Sequence, residues 1–202
     1  VAYKSVTSVP FLLDETGNVA GVKDANDGEE RLFLFQGVAG DVVIGQTSTN
    51  HTGADMTKGQ AVYIAGAQGQ RVSIELAQAD GEVASSRTFG VLYEDIAKNQ
   101  SGLVVTQGLV RGFNTSALTE GQIAWLSPTV AGGLTTTKPV APNHSVFMGV
   151  VVRSHATQGS VFVKVVNGFE LDELHNVKIT NPQDGQVLKY QASTQLWINA
   201  AP

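Results

Sequence analysis

Apolar residues in this chain fall in short runs of four to seven, rich in Val, Ile, Leu and aromatics and bounded by Gly, Asn, Ser or Pro. That pattern is the signature of β-strands, not of helices with a 3.6-residue stripe. Strands are expected at Ala61–Ala65, Val72–Leu76, Thr88–Leu92, Gly102–Gly108, Ile123–Ser127, Val146–Arg153 and Ser160–Val166. Helix is expected to be scarce. Ile74–Asp80 could hold a turn or two of helix, although its spacing also fits a strand running into a loop.

The runs repeat at an offset of about 60 residues. Lys58-Gly59-Gln60-Ala61-Val62-Tyr63-Ile64 answers to Glu120-Gly121-Gln122-Ile123-Ala124-Trp125-Leu126. Thr88-Phe89-Gly90-Val91-Leu92-Tyr93 answers to Phe147-Met148-Gly149-Val150-Val151-Val152, and Ser101–Thr106 to Gly159–Lys164. Two repeats are too few for a solenoid. The expected fold is therefore mostly β, with a small β-barrel or sandwich core made of two pseudo-repeated halves over residues 58–168.

Residues 1–57 read as a leader. Val9–Leu13 and Arg31–Phe35 are apolar, and Asp14–Glu30 between them is rich in Gly, Asp and Asn. This is either two strands joined by a long loop or an extended N-terminal arm laid along a partner, since long polar loops are uncommon inside compact domains. Residues 169–202 form a linker and a C-terminal β-hairpin: Asn181-Pro182-Gln183-Asp184-Gly185 marks a turn, and Gln186–Tyr190 and Gln195–Asn199 are the strands. A lone hairpin is marginal in water. Its apolar residues Leu188, Tyr190, Trp197 and Ile198 need a cover, supplied by the core or by other copies.

Composition narrows the function. Hydrophobic residues make up 42% and charged residues only 15%, below the ~25% charged that is usual for soluble domains. The net charge of −5 and scattered Lys and Arg argue against nucleic acid as a partner. No apolar run reaches the ~20 residues of a membrane helix, so no membrane partner is expected. The N-terminus lacks the order of a signal peptide. There is no cysteine, hence no disulfide and no thiolate metal site.

No constellation for catalysis stands out, and the chain is expected not to be an enzyme. His51, His144, His155 and His175 form no metal-spaced pair and read as solvated or capping residues. The neighbours Glu94-Asp95 and Glu29-Glu30 would point to opposite faces of a strand, so neither is a natural acid/base dyad. Asp24–Glu29 has a faint likeness to a calcium loop but the wrong ligand order. Gly132-Gly133 reads as a hairpin turn, and no phosphate-binding loop is present. The Asn-x-Ser/Thr triplets at Asn50, Asn114 and Asn143 read as turns. No catalytic, cofactor or metal residue is assigned.

Two stretches carry a resemblance. Leu103-Val104-Val105-Thr106-Gln107-Gly108-Leu109-Val110-Arg111-Gly112 is followed by Leu126-Ser127-Pro128-Thr129-Val130-Ala131-Gly132-Gly133-Leu134-Thr135 and Val150–Ala156. These resemble a module of tailed-bacteriophage virion proteins, found in tail-fibre and head-surface proteins. Asn181–Tyr190 through Trp197 is similar to a short hairpin repeat of phage fibres. The layout of the duplicated core also resembles small capsid-decoration proteins, which sit on the shell as trimers. The resemblance implies a homotrimer on the outer surface of the virion, made in the host cytoplasm, with the phage major capsid protein (or a tail protein) as partner and no cofactor. Within that reading, Val9, Phe11, Leu12, Leu13, Leu32, Phe33 and Phe35 are the expected virion contacts. Leu188, Tyr190, Trp197 and Ile198 are the expected trimer contacts. A capsid decoration (cement or head-fibre) role is favoured over a tail-fibre base because the chain stops at Ala200-Ala201-Pro202, straight after the hairpin, with no room for a receptor-binding tip. A carbohydrate-binding or host-adhesion module is the third reading, with Tyr63, Tyr93, Trp125 and Trp197 as candidate stacking platforms, although core burial fits their strand positions better.

Overall fold

The computed structural model describes residues 43–202 and, before them, three short strands: β1 (Phe11–Leu13), β2 (Val19–Lys23) and β3 (Glu30–Arg31). These pair antiparallel in the order β1-β2-β3, with Phe11 opposite Val22 and Val22 opposite Arg31. The Gly-rich stretch Asp14–Glu30 thus contains a strand, β2, where a loop was expected. The chain divides into two compact units, Val1–Val166 and Asn167–Pro202.

The protein is mostly β. The larger unit holds β4 (Ile44–Asn50), β5 (Ala61–Gln68), β6 (Arg71–Leu76), a short helix α1 (Glu82–Ser86), β7 (Thr88–Leu92), β8 (Ser101–Phe113), β9 (Ile123–Leu126), β10 (Leu134–Thr135), β11 (Val146–Arg153) and β12 (Gly159–Asn167). The helix falls after the segment Ile74–Asp80, which instead ends β6 and turns. All nine strands belong to one sheet, ordered β10-β9-β11-β12-β8-β4-β6-β5-β7, with β7 also paired to β8. The last five pairings form a closed circuit, from β8 through β4, β6, β5 and β7 back to β8.

The duplication is visible bond by bond. In the first repeat Gly59 N–H donates to the Leu92 carbonyl (2.9 Å), Leu92 N–H to Gln60 (2.9 Å) and Gln60 N–H to Thr57 (3.1 Å). In the second, Gly121 N–H donates to Val151 (2.8 Å), Val151 N–H to Gln122 (2.9 Å) and Gln122 N–H to Thr119 (3.2 Å). Gly59 and Gly121 both take positive φ, +87° and +76°, a conformation that side-chain-bearing residues rarely adopt. The repeat extends further back than residue 58. Asn50 Oδ1 accepts from the N–H and hydroxyl of Thr52, and Asn114 Oδ1 accepts from the same two groups of Ser116. Hence β4 and the second half of β8 are counterparts, and residues 43–57 belong to the core, not to a leader.

The closing strands align one residue away from the sequence match. A Cβ on Gly90 would lie 2.4 Å from the Val105 carbonyl oxygen, and one on Gly149 would lie 2.0 Å from that of Phe162. Val105 therefore corresponds to Phe162, and Gly102 to Gly159. A slip of one residue exchanges the two faces of a strand, so this decides which side chains point inward.

Two clusters fill the interior. Met56, Val62, Ile74, Leu92, Ile96 and Val104 pack inside the strand circuit. Ala61, Val91 and Val105, the alternate residues on the same strands, face a second cluster shared with Ala124, Leu126, Met148, Val151, Val161 and Val163 of the second repeat. The strands β7 and β8 are walls with protein on both sides, which is why consecutive residues are apolar in Val91-Leu92 and Val104-Val105. Each fully buried Val, Leu or Ile contributes about 1.5–3 kcal/mol. The loop of the β9–β10 hairpin ties the repeats together: Ala61 N–H donates to Gly132 (2.9 Å) and Gly132 N–H to Ala77 (2.7 Å).

Gly149→Ala forces a Cβ against a carbonyl at φ +145°, and strain with overpacking should lower stability by about 3 kcal/mol or more. Gly66→Ala, where a Cβ meets nothing within 4 Å, should change it by less than about 0.5 kcal/mol. Urea unfolding midpoints test the contrast, and equal midpoints would contradict the packing described.

Candidate functional site

The smaller unit adds β13 (Val177–Lys178), β14 (Val187–Gln191) and β15 (Leu196–Ala200), ordered β13-β15-β14. The expected hairpin, β14 with β15, therefore gains a third strand, parallel to β15, with Val177 opposite Trp197. Asn199 makes the extension possible. Its side chain accepts from Thr180 N–H (2.8 Å) and donates to the Thr180 carbonyl (2.9 Å), as a backbone partner would. Gln186 Oε1 receives Asn199 Nδ2 (2.6 Å) and the Gln183 N–H (3.0 Å), fixing the Asn181–Gly185 turn.

Register sorts the expected trimer contacts. Leu188 lies opposite Asn199 and Tyr190 opposite Trp197, so Leu188, Tyr190 and Trp197 share one face, with Tyr190 and Trp197 ring centroids 5.5 Å apart. Ile198 lies opposite Lys189 and points to the other face. Its grouping with the other three is corrected by the two-residue period of a strand. No residue of 167–202 is buried, and Leu188, Tyr190 and Trp197 are 40–50% exposed. The unit has no core of its own. Of the expected virion contacts, Phe11, Leu12 and Leu13 form β1, while Val9, Leu32, Phe33 and Phe35 lie outside the described residues.

The candidate chemical groups are engaged in holding turns. Glu94 Oε1 accepts from Leu103 N–H (2.9 Å) and Asp95 Oδ1 from Lys58 N–H (2.7 Å). His155 Nδ1 accepts from the N–H groups of Thr157 and Gln158 (3.1 and 3.0 Å), as a capping histidine does. His144 lies 3.6 Å from Glu82. Asp24–Glu29 is outside the described residues. Among the described residues no three His, Asp or Glu come together as a metal site, and no helix is long and apolar enough to cross a membrane.

Among the described residues of the larger unit, two concavities bear on function. A groove of about 490 Å³ runs between Phe113–Leu118 and Val130–Leu134, with Lys58 and Asp95 at its side. It occupies the place where the first repeat is closed by parallel pairing of β4 with β6. The counterpart strands, β8 and β10, have no such pairing among the described residues. A second cleft of about 480 Å³ is lined by Met56, Tyr63 and Leu76 with the carboxylates of Asp55, Glu75 and Asp80. There the Tyr63 hydroxyl donates to Glu75 (2.7 Å). That bond, then burial, then the Glu75 charge raise the Tyr63 hydroxyl above its ordinary 10.0.

The four aromatics differ in setting. Tyr63 and Tyr93 pack half-buried on the core. Trp125 is half-buried, edge-on to Phe147 at 6.1 Å with Lys138 Nζ 5.4 Å from its ring. Trp197 is exposed. Burial thus fits three of the four, and the exposed one carries the C-terminal face. No protein-family model matches the chain, and no curated protein matches it significantly.

Because Tyr63 titrates higher in the folded state, it contributes stability that is full below pH ~10 and is lost as pH rises through its raised value. The melting temperature of the native chain should fall more steeply above pH ~10 than that of Tyr63→Phe. Parallel curves would contradict the assignment.

Proposed function

We propose that the chain is a non-enzymatic structural protein of a tailed-bacteriophage particle, a homotrimer on the outer surface of the head that acts as a decoration (cement or head-fibre) protein. The observation that carries this reading is the C-terminal sheet, whose Leu188, Tyr190 and Trp197 form one exposed apolar face on a unit without buried residues. The unit Asn167–Pro202 is too short to bury a sufficient core, and equivalent faces from neighbouring copies supply one. The resemblance of Leu103–Gly112, Leu126–Thr135 and the hairpin to phage virion modules supports the same reading.

In this mechanism residues 43–166 of the larger unit are a rigid β core and residues 1–36 are the attachment arm. Three arms held by one trimer act together, because docking one raises the effective concentration of the others. A tail-fibre base would use the same parts, and it is the second reading because the hairpin is similar to a repeat of phage fibres.

Purified chain added to heads lacking it, and separately to tails, should pellet with the heads. Deleting residues 1–36 should abolish pelleting while circular dichroism shows the β core intact, and retained binding would rule out the arm. Tyr190→Ala with Trp197→Ala should weaken binding by about 10²–10⁴, the loss expected when avidity disappears. Pelleting with tails alone would move the assignment to the tail fibre.

A further inference from the structure

The duplication identifies an uncovered face on the core. Ala61, Val91 and Val105 of the first repeat correspond to Ile123, Val150 and Phe162 of the second. The first three are fully buried, because the second repeat packs against them. Their counterparts are 40%, 37% and 43% exposed. Val152 and Val166 extend the same outer face of β11 and β12 and are also exposed, and Trp125 and Phe147 lie half-buried beside them. A sheet with one solvated side normally alternates apolar inside with polar outside. An apolar outer face of this breadth marks a protein interface.

Charge selects the occupant. Lys164 stands between Phe162 and Val166 on β12, and Lys138 covers the Trp125 ring. Residues 101–166 carry four cations, Arg111, Lys138, Arg153 and Lys164, against one carboxylate, Glu120. Residues 44–100 are reversed, with six carboxylates, Asp55, Glu75, Asp80, Glu82, Glu94 and Asp95, against four cations. Three of those carboxylates line the 480 Å³ cleft, whose walls hold no Lys, Arg or His. Two copies meeting through the same face would set lysines against lysines. Contact between the second repeat of one copy and the first repeat of another pairs opposite charges. Such a contact joins two different surfaces, and a heterologous contact closes into a ring when the rotation permits.

We infer that the apolar outer face of β9, β11 and β12 docks on the acidic side of the first repeat, around the Asp55–Glu75–Asp80 cleft, of a second copy of this chain. The inference rests on the homotrimer reading for the number of copies in the ring. It places a contact on the core in addition to those proposed for the C-terminal sheet.

The chain has no cysteine, so single cysteines report accessibility cleanly. In the full chain, Phe162→Cys should react with a maleimide at least tenfold more slowly than Ala97→Cys, an exposed position. Lys138→Glu with Lys164→Glu should lower the mass seen by light scattering at low salt. Adding Glu75→Lys and Asp80→Lys to the same chain should restore it. Equal alkylation rates, or an unchanged mass in the double variant, would overturn the inference. Failure of the added lysines to restore the mass would overturn the choice of occupant. Protection of the thiol introduced by Phe162→Cys in a monomer would place a segment of the same chain on the face, and would also overturn it. Dissociation only on replacing Tyr190 and Trp197 would overturn it while leaving the trimer standing, whereas a monomeric native chain would count against both.

Discussion

Strand β8 is the element on which the rest of the core depends. It pairs with β7 and β4 over its first half and with β12 over its second. Val104 faces one cluster, Val105 and Val110 the other. The strand therefore closes the first repeat and opens the second at once. Neither cluster could be emptied without exposing the other, because they share this wall. Its glycines serve the same end: Gly102 lies where a Cβ would collide with Ile96, and Gly108 and Gly112 take positive φ where the strand turns from one repeat to the next.

This arrangement places interaction on the outside. The two core clusters are apolar, and Glu94, Asp95 and His155 fix turns by accepting hydrogen bonds from backbone N–H groups. Exposed apolar residues gather on two separate sheets, Leu188, Tyr190 and Trp197 on one, Ile123, Val150 and Phe162 on the other. Such surfaces act through area and multiplicity, and each contact is modest. A particle that presents the same contact many times can use them, which fits the virion role proposed above.

The sequence was informative where burial and composition agree. Runs such as Phe147–Val152 and Val161–Val166 predict their strands because β-branched residues bounded by Gly and Ser have few other uses. The strand Ile44–Asn50 was illegible for the opposite reason. Its buried end is Ser48, Thr49 and Asn50, polar groups whose side chains are satisfied by specific partners, and no hydrophobic pattern announces that. The buried Asn50 alone donates to Ala54 and Ile96 and accepts from Thr52. The hairpin strands were legible, but the face of Ile198 required the register, and β13 depends on the Asn199 side chain 21 residues beyond Lys178. The one-residue misalignment of β8 with β12 hid the exposed face, because a match of Val105 to Val163 makes both look buried.

Native-state hydrogen exchange on the full chain tests most directly whether the two repeats are one body built around β8. Amides of Val104, Val105 and Val110 should be among the slowest, and those of Val151 and Val161 should exchange with the same opening free energy, reporting one cooperative unit. If amides of β9, β11 and β12 opened at a distinctly lower free energy while β8 stayed protected, the repeats would be separate units and the shared wall would not be the constraint described.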